Sequence, residues 1–193
     1  MPRVEKEDQE SMAMKLLSVQ NSPVECEFYV CKWDKQVWGR LNVPKHSFIL
    51  WMAIQDKLKT KVRLFKFKVI DEEVCGLCNI HKENVEHLFF HCSFSHVCLQ
   101  VLKTWLGWNV RAEDLQSLIR WIERSKQSQF KKKVLAAALV YHLWRARNDE
   151  VLKISSSSQE VIIRRTKEAV KLRVSCAMPR KVSSEDKNWF AEL

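Results

Sequence analysis

Glycine is almost missing from this chain. Gly39, Gly76 and Gly107 are the whole supply in 193 residues, and hairpin turns that need positive φ are hard to build on so few. Helices joined by short polar loops are the favoured alternative. No stretch approaches about eighteen uncharged apolar residues, which argues against a membrane-spanning helix. The opening "MPRVEKEDQESMAMK" is acidic and polar, unlike the apolar run of a secretion signal or the basic helix of a transit peptide, so nucleus or cytoplasm is the expected location. The cysteines, at 26, 31, 75, 78, 92, 98 and 176, are odd in number. Reduced thiols are therefore expected in place of a disulfide framework. Also lacking are a Ser/His/Asp order, a Gly-rich phosphate loop and an isolated carboxylate pair, so neither an enzyme nor a small-molecule substrate is expected.

What is present can build a core: 46% of residues are hydrophobic, with eight Trp and nine Phe. Formal net charge is +10, and residues 1–25 carry three basic against five acidic groups, which leaves +12 for the remainder. Such an excess fits a polyanionic partner, with nucleic acid ahead of an anionic membrane surface. It fits a merely solvated surface as well.

Residues 1–25 read as a flexible arm, since charge dominates and Pro23 breaks any helix begun at "SMAMKLL". Pro44 suits the first turn of a helix with Phe48, Trp51, Met52 and Gln55 on one face. "KLKTKVRL" alternates strictly, as a strand would, yet a short helix capped by Thr60 fits too. Val97, Val101 and Trp105 recur at helical spacing and end near Gly107. Leu115, Leu118 and Ile122 mark another helix with charges opposite. The longest element holds Phe130, Val134, Ala137, Tyr141 and Trp144 in one stripe, widened by Leu135, Leu139 and Leu143, and reads as a central buried helix. "SSSSQEVIIRRTKEAVKLRV" continues as a basic amphipathic helix that Pro179 stops.

The stretch "CGLCNIHKENVEHLFFHC", residues 75–92, packs three cysteines and three histidines into eighteen positions. Cys75 and Cys78 are spaced Cys-x2-Cys, which lets two thiolates converge on one ion, and Gly76 suits the knuckle between them. Four N or S ligands would close a tetrahedron around Zn²⁺ and leave no open position, so the metal would be structural. The second pair is less determined. His87 and His91 share a face of an unbroken helix, whereas Cys92 at i+5 needs the helix to bend or end; His81, His96 and Cys98 are further candidates. A thiolate binds zinc more strongly than another neutral imidazole, which favours Cys75, Cys78, His87 and Cys92. Buried core cysteines or a redox pair are the alternatives without metal.

Just before this stretch, Lys57, Lys59, Lys61, Arg63, Lys66 and Lys68 alternate with Leu64, Phe65 and Phe67. The cations could meet phosphates while an exposed aromatic stacks a base. The plainer alternative is that Phe65 and Phe67 are core and the lysines ordinary surface.

With "VWGRLNVPKHSFILWMAIQDKLKTKVRLFKFKV" followed by "CGLC", "VEHLFFHCSFSHVCLQVL" and "LGW", residues 33–108 resemble the reverse transcriptase zinc-binding domain of plant non-LTR (LINE-type) retroelements. "LVYHLWRARNDEVLK" is similar to the Trp-x-x-Arg-Asn helix that follows it there. The resemblance implies that Cys75, Cys78, His87 and Cys92 are the zinc ligands, and that Trp38, Pro44, Trp51, Leu58, Thr60 and Leu64 form a packing motif. It also implies that "KLKTKVRL" ends one helix and starts another. No polymerase, endonuclease or ribonuclease H motif accompanies it, which is the pattern of a detached or domesticated fragment.

The combined expectation is an all-α protein of about six helices with a small structural, zinc-knuckle-like site. Residues 26–110 would be the zinc-binding domain and 111–193 a helical extension packed on it. The expected function is non-catalytic binding of RNA or single-stranded DNA through Lys57 to Lys68. The alternative is a zinc-stabilised scaffold for a protein partner without nucleic-acid binding.

Overall fold

In the computed structural model the described residues are 37–38, 42–108, 113–124, 129–177, 184 and 187–188. The arm read over residues 1–25 lies outside them. Among the described residues there are six α-helices: α1 Pro44–Ile54, α2 Lys61–Lys66, α3 Ser93–Trp105, α4 Leu115–Arg124, α5 Gln129–Val151 and α6 Gln159–Ala177, with a π-helical turn over His87–His91. Among the described residues the only β pairing is an isolated bridge between Val74 and Lys82. The all-α expectation therefore holds, and the alternation over residues 57–64 does not make a strand.

The centre of the molecule is α5. Val134 through Val140 are buried without interruption, and Leu143 and Ala146 continue the core. Three consecutive alanines, Ala136 to Ala138, keep the helix thin there, so neighbours can approach on several sides. Against it α6 lays Ile162, Thr166, Val170 and Val174, one residue per turn along a single buried stripe. On α4, Leu115, Leu118, Ile119 and Ile122 point inward, and Asp114 starts the helix by accepting the Ser117 amide at 2.5 Å. At the end of α3 Gly107 adopts φ +65°, and the Trp108 amide returns to the Lys103 carbonyl at 2.8 Å. Here the positive φ that glycine tolerates is used.

Two faces differ from the expected ones. Helix α1 buries His46, Ser47, Leu50 and Ala53, while Phe48 is about half exposed and Gln55 is exposed. The reason is its neighbour: α1 packs on α5, where small and polar residues let His46 stack on Tyr141 at 4.4 Å between centroids. Phe48 turns outward instead, while Trp51 stays half-buried against the core, with its ring 5.9 Å from Phe48 and 6.5 Å from the exposed Trp38. Helix α3 likewise buries Ser95, Cys98, Leu99 and Leu102, and leaves Val97 and Val101 exposed. Its inner face is the one that meets α6 and the π turn.

Candidate metal centre

The knuckle is built by backbone hydrogen bonds. The Cys75 amide donates to the His81 carbonyl at 2.8 Å, the Glu83 amide to the Glu73 carbonyl at 2.8 Å, and the Asn79 amide to the Cys75 carbonyl at 2.8 Å. The residue that takes the left-handed backbone in this turn is Asn79, with φ 54°. Asparagine tolerates that region. Gly76, by contrast, has no need of its missing side chain, since a Cβ there would meet Glu150, Val151 and Lys61 only at ordinary contact distances of 3.6 to 3.9 Å.

The second half of the centre depends on the π turn. At about 100° per residue an α-helix would put Cys92 roughly 140° round from His87. Instead, the Cys92 amide bonds to the His87 carbonyl at 2.7 Å, an i to i+5 bond that widens the turn by one residue. Cys92 then leaves the turn in an extended conformation and occupies the N-cap position of α3. The Asn84 side chain accepts the His87 amide at 2.7 Å and steadies the start of this segment.

As a result Cys75, Cys78, His87 and Cys92 each bring one ligand atom into a cluster whose members all lie within 4.8 Å of one another. The Cys75 and Cys92 sulfurs are 3.9 Å apart, and the Cys78 sulfur is 3.3 Å from His87 Nε2. Two thiolates on a tetrahedral zinc ion stand about 3.8 Å apart, so the donor set and its spacing fit that metal. The cluster is largely shielded, with Cys75, His87 and Cys92 buried and Cys78 half-buried.

The hydrogen bond between Cys75 and Cys92 drives the two thiols in opposite directions. The hydrogen bond from Cys75 draws the Cys92 thiol down to about 5, and the first-turn amides of Ser95 and Phe94 act in the same direction. The Cys75 thiol is pushed up by that hydrogen bond and by burial, against the pull of the Cys78 and Leu77 amides. Burial lowers the His87 imidazole, and His81 adds to that lowering, which favours the neutral ring that a metal requires.

The other candidate ligands stand apart from the cluster. His81, His91 and His96 are exposed; the ring of His81 meets His87 edge-on at 5.5 Å, and His96 Nε2 lies 3.2 Å from the Gln100 side chain. Cys98 is buried against α6, with its sulfur 4.0 Å from the Gln159 carbonyl and its thiol pushed up to about 12 by burial. It is a core residue.

Of the six basic residues before the knuckle, Lys66 and Lys68 are exposed and the other four half-buried. Lys57 Nζ sits 5.2 Å from the Trp51 ring centroid, and the Arg63 guanidinium donates to the Asp56 carbonyl. Lys59 is lowered by burial and then by Arg63, whereas the Lys61 amide donates to Glu83 Oε1 at 2.8 Å. Phe65 and Phe67 are 43% and 54% exposed. They are not core.

Sequence reasoning missed Glu83. This carboxylate is fully buried behind the knuckle and pairs with Arg147 of α5 at 2.7 Å. Thr60, at the N-cap of α2, makes no capping hydrogen bond through its side chain; Glu83 receives the Lys61 amide instead. A lone Glu among Lys and Asn carries no local signal of burial.

Residues 13–98 match the family of zinc-binding domains in reverse transcriptase. The match begins within the segment read as an arm and ends at Cys98. No curated protein and no solved structure matches the chain. No helix among the described residues is long and apolar enough to cross a membrane.

Proposed function

We propose, from the match of residues 13–98 to the zinc-binding domain in reverse transcriptase, that Cys75, Cys78, His87 and Cys92 hold a structural zinc and that the body so formed binds RNA or single-stranded DNA without catalysis. When bound, the metal would supply a cross-link between the knuckle and the start of α3. The knuckle in turn holds the start of α2, whose Lys61 and Val62 amides donate to Glu83. Residues 26–110 then form the inherited domain and 111–193 an extension, with the Glu83–Arg147 pair supporting their close packing.

The observation that carries the reading is the exposure of Phe65 and Phe67, which alternate with exposed Lys66 and Lys68. Apolar rings held in water beside cations suit a partner with flat bases and phosphates. Lys57 on Trp51, itself packed between Phe48 and the half-exposed Trp38, extends the same combination. Origin in a plant LINE-type element is part of this reading, as is a nuclear or cytoplasmic location. A protein partner is the second reading, favoured by exposed Val97 and Val101 on α3.

Titration of labelled oligouridine and oligothymidine with the zinc-loaded chain tests the proposal. Log affinity should fall linearly with log salt, by roughly 0.7 per phosphate neutralised. A flat salt response, or no binding near physiological salt, would sink it.

A further inference from the structure

Helices α1, α5 and α6 enclose a groove of about 570 Å³ away from the metal ligands. Val43, Ala169 and Leu172 give it an apolar lining, and Lys45, Arg145, Arg165 and Arg173 bring cations to it from all three helices. Glu168 is the one carboxylate of the lining, and it pairs with Arg164 on the same helix at 3.9 Å.

Lys45, Arg145 and Arg165 are only lightly engaged by the protein. Arg165 enters no ion pair among the described residues, and Arg145 Nε reaches Asp149 at 3.9 Å, the outer limit for a pair. Lys45 Nζ lies over the Tyr141 ring at 5.2 Å, and Arg173 donates to the Asn42 carbonyl at 3.3 Å. Between them stands His142, stacked edge-on against His46 at 5.6 Å and Tyr141 at 5.2 Å. Its Nε2 is buried without a hydrogen-bond partner. Burial, then Arg165, Arg145 and Lys45, lower this imidazole to about 4, so the ring is neutral at pH 7 and the three cations stand close around it.

An apolar slot with several cations from separate elements and few carboxylates fits an anion that also carries a flat apolar part. The volume is of the size that takes one small-molecule-sized group. We propose that this groove binds one nucleotide of a single strand, with its phosphodiester on Lys45, Arg145 and Arg165 and its base or sugar on the apolar lining. The inference rests on the nucleic-acid reading above and adds a second contact to it, distinct from Lys57 to Lys68. A paired base in a duplex could not turn its face into the slot.

Fluorescence anisotropy of labelled oligouridine on the full zinc-loaded chain tests it. Arg145→Gln with Arg165→Gln should weaken binding about tenfold and make the log–log salt slope shallower by up to roughly 0.7, one phosphate contact's worth. Arg145→Lys with Arg165→Lys should retain most of the affinity. Wild-type binding with an unchanged affinity and slope in the Gln pair overturns the groove and leaves the nucleic-acid reading standing. Absence of salt-dependent binding by the wild type overturns both. A readout that needs no substitution is the His142 ring signal in NMR: it should move as oligouridine is added. A signal that stays still while anisotropy reports binding also overturns the groove.

Discussion

Arg147 and Glu83, 64 residues apart in the chain, meet in the core: Arg147 Nε donates to Glu83 Oε1 at 2.8 Å. Both side chains are almost fully buried, at 3% and 0% exposure. The same oxygen accepts the Lys61 amide, so one carboxylate ties the knuckle to α5 and caps α2. Arg147 is further held by Asn148 Oδ1 at 2.9 Å and by the Trp144 ring, 4.8 Å away.

Removing one partner leaves a buried charge uncompensated. Arg147→Met should cost about 3–5 kcal/mol in urea unfolding. Combining it with Glu83→Leu should cost less than the sum of the single changes, because no unpaired charge remains. Strictly additive losses would show that the pair does not interact.

For the metal, native mass spectrometry should find one zinc per chain, lost in Cys75→Ser, Cys78→Ser and Cys92→Ser. His91→Ala and Cys98→Ser should keep it, and so should Gly76→Ala, whose added methyl meets only ordinary contacts. Zinc retained in Cys92→Ser and lost in Cys98→Ser would reassign the fourth ligand. Chelation should lower the melting temperature, since binding free energy here is folding free energy.

His46 and His142 are each lowered from 6.5 to about 4, chiefly by burial. The unfolded chain therefore binds more protons between those values, and stability falls as pH drops from about 6.5 toward 4. The loss should be on the order of 2 kcal/mol per histidine. Urea midpoints at pH 7 and pH 5 measure it, and a His46→Gln, His142→Gln variant should show a flatter dependence than the parent. Comparing the two removes the acid release of zinc that both share. Parallel pH profiles would contradict the assignment.

Phe65→Ala with Phe67→Ala should weaken single-strand binding by about 1–3 kcal/mol per stacked base. Because both rings are substantially exposed, the melting temperature should hardly change. A large loss of stability without loss of binding would mean that the rings serve packing.

Helix existence was legible because it depends on short-range features: scarce glycine, Pro44 at a first turn, and the 3.6-residue recurrence of Leu115, Leu118 and Ile122. Helix faces were less so. The stripe of Val97 and Val101 is as apolar as that of Leu99 and Leu102, and the sequence has no means to say which one a neighbour covers. The same ambiguity put Phe48 inward on α1, where contact with α5 turned it out.

By its own residues the chain determined that thiols and imidazoles would be concentrated in eighteen positions, and that a Cys-x2-Cys turn could aim two of them at one point. Those are consequences of local chain geometry and ligand chemistry. Tertiary structure decided the rest: the π turn brought Cys92 round to His87, and the packing of α6 enclosed Cys98 in the core. The burial of Glu83 against Arg147 was decided there too, because a charge enters the interior only where a distant partner and a free amide wait for it.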